Sequence, residues 1–231
     1  MAALKKIFIL HGWVYSTEKW AAFTKEMQQL GFECEILSIP GLTSPIDRPW
    51  QIDDYVKWLG DKLNNEPAPI LLGHSNGGRI AIAFAAKYPK ILGKLILIDS
   101  AGLIDMRLKP TIKRTVFRIV AKIGKHIANS RKTRALLYKL AREKDYIEAN
   151  DTMKKTMSNL IAADLSSELI KIKTPTLIIW GEDDQSTPLY QGKKMKQLIP
   201  DSHFVSLKNA NHSPFVAFPE EIAMLIAKEV K

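Results

Sequence analysis

The run Pro69-Ile70-Leu71-Leu72-Gly73-His74-Ser75-Asn76-Gly77-Gly78-Arg79 leaves little freedom in how this chain can fold. Four apolar positions read as a short buried strand, a Gly-x-Ser-x-Gly turn follows, and the helix expected over 80–86 is apolar nearly all round. A serine on so sharp a strand-to-helix bend needs small neighbours, and Gly73 and Gly77 let helix and strand approach closely. The bend lifts the Ser75 hydroxyl out of the sheet top. The next backbone N–H, from Asn76, then faces any oxyanion formed there. A glycine-rich turn with an incidental serine is the bland alternative, and the strand before and the helix after argue against it. No lysine follows the glycines, which excludes a phosphate-cradling loop, and no Gly-x-Gly-x-x-Gly supports a dinucleotide site.

Around this stretch, short apolar runs alternate with amphipathic ones. Lys6 to Leu10 reads as a strand buried on both faces and ends in His11-Gly12-Trp13. Ser16 or Thr17 is placed to cap a helix whose Trp20, Phe23, Met27 and Leu30 share one face, and Gly31 stops it. A strand is expected over 34–39, closed by Pro40-Gly41, and a helix follows through Ile52, Val56, Leu59 and Leu63. The helix after Ser75 ends before Pro89, and Lys94 to Ile98 is another buried strand ending at Asp99. Such alternation predicts a parallel sheet with helices on both faces.

From about 109 to 169 only helical periodicity remains. Ile112, Val116, Ile119, Ile123 and Ile127 line one face there, and further helices are expected over 135–141 and 153–161. Thr174-Pro175 restarts the alternation: strand 176–180, helix after Pro188, strand 204–207, helix 219–230. The reading is an α/β core, residues 1–103 and 174–231, interrupted by a helical insertion, residues 104–173.

The 231 residues, 46% hydrophobic and 25% charged, suit one large domain or a domain with an insertion and exclude wholesale disorder. Cys34 is the lone cysteine, so no internal disulfide forms, and no Cys/His cluster has metal-ligand spacing. Neither a metal nor a cofactor is expected. Lys5 and Lys6 precede only four apolar residues, too few for a signal peptide, and no later stretch is long enough to span a membrane. A cytoplasmic setting is the expectation. The net charge of +10 is confined to one segment: 105–173 holds 17 Lys+Arg against 7 Asp+Glu, and the remainder is balanced.

In an open parallel sheet, ligands bind along the edge where the strands' carboxyl ends lie. His11-Gly12-Trp13, Ser75, Gly181-Glu182-Asp183-Asp184 and Asn211-His212 all follow such ends. Ser75 needs a base within reach. His212 can take its proton, and a carboxylate on the other imidazole nitrogen would fix the tautomer and stabilise the imidazolium. Asp183, Asp184 and Asp99 are the candidates for that carboxylate. His74 reads as elbow packing, and His126 and His203 as structural.

These four motifs, in this order, resemble those of the α/β-hydrolase superfamily, in its small cap-bearing esterase and carbon–carbon hydrolase branch. His11-Gly12-Trp13 with Trp20 is similar to that family's oxyanion loop, and Gly73-His74-Ser75-Asn76-Gly77-Gly78 to its nucleophile elbow. Gly181-Glu182-Asp183-Asp184 with Pro188 is similar to its acid turn, and Asn211-His212-Ser213-Pro214-Phe215 to its histidine loop. The resemblance implies a mostly parallel sheet of about six strands, helices on both faces and a helical cap. The family's usual antiparallel entry hairpin is missing, which leaves a sheet edge needing protection.

The resemblance further implies a catalytic triad of Ser75, His212 and Asp184, the acid being chosen by the family spacing Gly-x-x-Asp-x-x-x-Pro. Asp99 sits where some relatives place it. Backbone N–H groups of Trp13 and Asn76 would form the oxyanion hole. The expected chemistry is hydrolysis of small carboxylic esters through an acyl-enzyme, with lactone or carbon–carbon bond hydrolysis as alternatives. Ser75 excludes a dehalogenase, which needs a carboxylate nucleophile.

The insertion is expected to cap Ser75 and shape its acyl pocket. Its charge reads either as a solvated face or as a docking surface for an acidic partner. The elbow and histidine loop also resemble those of carboxylesterases that demethylate a pimeloyl ester on an acyl carrier protein. A binding module working at a membrane surface through the 112–127 helix is the alternative from another class. No aromatic interleaving supports nucleic-acid binding.

Overall fold

The computed structural model describes residues 5–14, 16–104 and 151–230. Six strands form one sheet: β1 (Lys5–Leu10), β2 (Phe32–Ile36), β3 (Ile70–His74), β4 (Lys94–Ile98), β5 (Thr176–Gly181) and β6 (Ser202–Leu207). The order is β2-β1-β3-β4-β5-β6, and all five pairings are parallel.

Period-two alternation inside continuous apolar runs supplies both faces of this sheet. Phe8, Leu10, Leu71, Leu95, Leu97, Ile178 and Trp180 enter one core cluster. Ile7, Ile9, Ile70, Leu72, Ile96, Ile98, Leu177 and Ile179 enter the other. The first cluster is covered by α2 (Ile52–Leu63), α3 (Asn76–Lys87) and α6 (Leu189–Leu198). The second is covered by α1 (Ala21–Gln29) and α8 (Pro219–Val230), with the short α7 (Pro214–Ala217) beside them. Each fully buried Leu or Ile contributes about 1.5–3 kcal/mol of transfer free energy.

Two local expectations shift. β2 ends at Ile36 rather than 39, because Ile39 turns the chain. Its N–H donates to Thr43 Oγ1 at 2.9 Å, and its carbonyl accepts from the N–H groups of Leu42, Thr43 and Ser44. α1 enters through a 3₁₀ turn, Glu18–Trp20, without a side-chain cap at Thr17; Ser16 Oγ accepts only from Glu18 N, at 3.3 Å. At the sheet edge β2 carries exposed Glu33 and Glu35, and Lys6 Nζ lies 2.7 Å from Glu35. Charges so placed discourage a further strand from pairing there.

The expected helices over 112–127 and 135–141, and His126, lie outside the described residues. The 153–161 helix is present as α4 (Asp151–Ala162) and is followed by α5 (Ser166–Leu169). Met153, Met157, Leu160, Leu165 and Leu169 join the first core cluster. Thr156 Oγ1 accepts from Trp50 N at 2.9 Å, and Asn159 Nδ2 donates to Trp50 O at 3.0 Å. The buried Arg79 of α3 donates to the carbonyls of Leu160 and Ala163, so the end of α4 is tied to the helix that follows Ser75. Among the described residues no helix is long and apolar enough to cross a membrane.

Candidate active site

Ser75 joins β3 to α3 at φ 53°, ψ −119°, a left-handed conformation that a side chain adopts only under constraint. The constraint comes from crowding. A Cβ on Gly73 would sit 2.6 Å from the Cα of Gly78, and one on Gly77 would collide with the Leu10 carbonyl. Only glycine at both positions lets α3 start this close to the strand ends. Ser75 N donates to Ile98 O at 3.2 Å, and its carbonyl accepts from Ala101 N at 2.9 Å, which locks the bend to the end of β4.

His212 lies in the loop between β6 and α7 with its side chain 28% exposed, so it can meet both the interior and a substrate. Its Nε2 is 2.9 Å from Ser75 Oγ and its Nδ1 is 2.8 Å from Asp184 Oδ2. The Asp184 turn is built around its carboxylate. Oδ1 accepts from the N–H groups of Ser186 (2.6 Å) and Thr187 (3.0 Å), and Oδ2 accepts from the Thr187 hydroxyl at 2.6 Å and from His212. Burial works to raise this carboxyl. The hydrogen bond and charge of His212, with the bonds from Thr187 and Ser186, outweigh it and hold Asp184 below the usual carboxylate range.

The other two acids behave differently. Asp183 is exposed and turned away, its carbonyl accepting from Gln185 Nε2 at 3.4 Å. Asp99 is fully buried at the end of β4. Its Oδ1 accepts from Gly181 N at 2.8 Å and its Oδ2 has no hydrogen-bond partner. Burial, reinforced by the Asp184 charge, pushes Asp99 up to about 8.

The loop after β1 closes the arrangement. A Cβ on Gly12 would lie 3.1 Å from Ser75 Cβ, so the Gly12 backbone packs directly against the elbow. His11 Nδ1–H donates to Gly12 O at 2.9 Å, and its Nε2 accepts from Thr43 Oγ1 at 3.0 Å. Burial lowers the His11 pKa, against the opposing bond to Gly12 O. Asn76 opens α3, where the first N–H groups have no partner within the helix and the dipole favours negative charge. Taken together, the geometry can deprotonate a hydroxyl, hold the resulting imidazolium against a carboxylate and receive an anion at a helix N-terminus.

The sequence reading missed Thr187, whose hydroxyl touches Asp184, lies 3.3 Å from His212 Nδ1 and lies 3.1 Å from Asp99 O. Its position three residues after the acid was the available signal. One potential ligand atom each from His74, Asp99 and His212 lie within 4.8 Å of one another. Both His212 nitrogens and His74 Nε2 are engaged in hydrogen bonds.

The chain is similar in sequence and in fold to known proteins. The chain is similar to the AB hydrolase superfamily protein YisY of Bacillus subtilis, 28% identical over 97% of this chain and 91% of that one. It is similar to a pimeloyl-[acyl-carrier protein] methyl ester esterase of Nitrosospira multiformis, 26% identical over 96% and 93%. MenH from S. aureus shares the fold at a TM-score of 0.73, with 20% identity over 98% and 93% of the two chains. The profile of the alpha/beta hydrolase family matches residues 7–225, and with the sheet, elbow and loops in this arrangement the chain belongs to that family.

Proposed function

We propose that this protein is a serine hydrolase that cleaves carboxylic esters of small acyl groups through an acyl-enzyme. One observation carries the reading: a single imidazole, His212, spans Ser75 Oγ at 2.9 Å and the Asp184 carboxylate at 2.8 Å. His212 Nε2 takes the Ser75 proton as Oγ bonds to the ester carbonyl carbon. The developing oxyanion is received by the backbone N–H groups of Asn76 and Trp13. Collapse expels the alcohol, which takes the proton from Nε2. Water then repeats the sequence and releases the acid. Asp184 stays ionised throughout, orients the ring and stabilises the imidazolium.

Residues 104–173 are proposed as a cap that shapes the acyl site, and the cytoplasm as the setting. The excess of 10 positive charges in 105–173 supports a finer reading, in which an acidic acyl carrier presents the ester; the Nitrosospira relative is named for such a substrate. A fluorophosphonate probe is expected to label Ser75 alone, and Ser75→Ala should lower ester turnover by about 10⁴-fold or more with the fold intact. Activity near wild type in that variant would overturn the reading. A panel of p-nitrophenyl esters, a lactone, a carbon–carbon hydrolase substrate and an acyl-carrier methyl ester assigns the bond cleaved. Carrier docking predicts that turnover of the carrier ester alone falls steeply with salt.

A further inference from the structure

We propose that His74 is the positioning residue that fixes the main chain of His212, acting as a strut between the loops of the site. The proposal rests on the triad reading above. His74 is buried at the end of β3, immediately before Ser75, and its Nε2 lies 2.7 Å from the backbone carbonyl of His212. A carbonyl only accepts, so Nε2 carries the hydrogen and Nδ1 bears the lone pair. Nδ1 faces the loop after β1, and a Cβ on Gly12 would lie 3.3 Å from it. The ring stands edge-on to Phe215 at 5.0 Å and to Trp20 at 6.1 Å, and Trp20 and Phe215 stack on each other at 3.7 Å. One imidazole therefore touches the histidine loop and the loop after β1 while being covalently joined to the nucleophile.

Charge would defeat this role. Burial first, then repulsion from His212, lowers the His74 pKa to about 3, so the ring donates one hydrogen bond and carries no charge at working pH. The surrounding ionisable groups are His11, His212 and Asp184, with Asp99 in the same cluster. What His74 supplies is placement. The His212 ring must reach two partners at once, and main-chain displacement by about 1 Å is enough to cost on the order of 10²-fold in rate. A packing residue would need only the ring's volume; a strut needs the donor at Nε2.

Substitution separates the two. Gln places an amide N–H near the position of Nε2, Asn places one near Nδ1, and Leu supplies volume alone. His74→Leu should lower kcat on a p-nitrophenyl ester by roughly 10- to 100-fold with KM little changed, and His74→Gln should restore most of it. The far-downfield proton resonance of the His212–Asp184 hydrogen bond should persist in the Gln variant and be lost or displaced with Leu. Should the Leu variant fail to fold, Gln against Asn decides, with Gln expected to be the more active. Wild-type kcat in the Leu variant, equal losses with Gln and Leu, or an Asn variant as active as Gln would overturn the proposal. Fluorophosphonate labelling of wild-type Ser75 is measured alongside. Its absence would instead remove the triad reading on which the proposal stands.

Discussion

Asp184 and Asp99 lie just beyond the ends of neighbouring strands, are 2% and 0% exposed, and titrate in opposite directions. Burial pushes both carboxyls up; what separates them is the number of donors each meets. Asp184 receives two backbone N–H groups, a hydroxyl and an imidazole, enough to outweigh its desolvation. Asp99 receives one N–H and faces the negative charge of Asp184, so it rises to about 8 and is mostly protonated at neutral pH. Two adjacent buried carboxyls rarely ionise together. Here the turn that follows β5, rather than depth in the molecule, decides which one carries the charge.

The largest expected effect tests this division of labour. Asp184→Asn should lower turnover by on the order of 10⁴-fold, because the histidine would lose its orienting charge. Asp99→Asn should leave turnover nearly unchanged. A variant pair with the opposite ranking would assign the charge to β4. Next comes Thr187→Val, which deletes a donor to Asp184 without touching the carboxylate. A hydrogen bond to a charged group contributes about 1.5–3 kcal/mol, so a loss of roughly 10-fold in turnover is expected, with Thr187→Ser restoring it. A Val variant as active as wild type would show that the remaining donors suffice to hold Asp184.

Much of this was legible in the sequence, and for identifiable reasons. Apolar runs such as Lys94 to Ile98 have one use in a parallel sheet, and Gly73, Ser75 and Gly77 can be satisfied together only at a bend like the one observed. The order serine, acid, histidine placed three groups at one sheet edge. The choice between Asp183 and Asp184 came from family spacing, since adjacency alone does not say which carboxyl turns inward. The contrast between Asp184 and Asp99 was not legible, because it depends on donors drawn from Gly181, Ser186, Thr187 and His212. Ser186 and Thr187 lie within three residues of Asp184, but Gly181, which reaches Asp99 across 82 residues, and His212 leave no local pattern. The early end of β2 has a local origin instead, in a Thr43 hydroxyl that accepts from Ile39 N. The sequence pattern around His74 reads as elbow packing. Its ring contacts fit that reading, but the hydrogen bond its Nε2–H donates goes to His212 O, 138 residues away.

The subtlest prediction concerns stability rather than rate. Asp99 has a folded pKa of about 8 against an ordinary value near 3.9 when unfolded. Between those values the folded state holds a proton that the unfolded state has released. Its contribution is therefore intact below about pH 4 and is lost progressively as pH rises to about 8. Asn cannot titrate, and its carbonyl can keep the bond from Gly181 N. The stability difference between Asp99→Asn and wild type should thus grow in favour of the variant from pH 5 to pH 8, by an amount on the order of a few kcal/mol. The buried His74 works in the opposite sense, since its lowered pKa weakens the folded state as pH falls from about 6.5 toward 3, but it is present in both proteins and cancels. Urea midpoints at the two pH values check the difference. If the gap between variant and wild type is the same at both, Asp99 is ionised in the folded protein, and the contrast with Asp184 disappears.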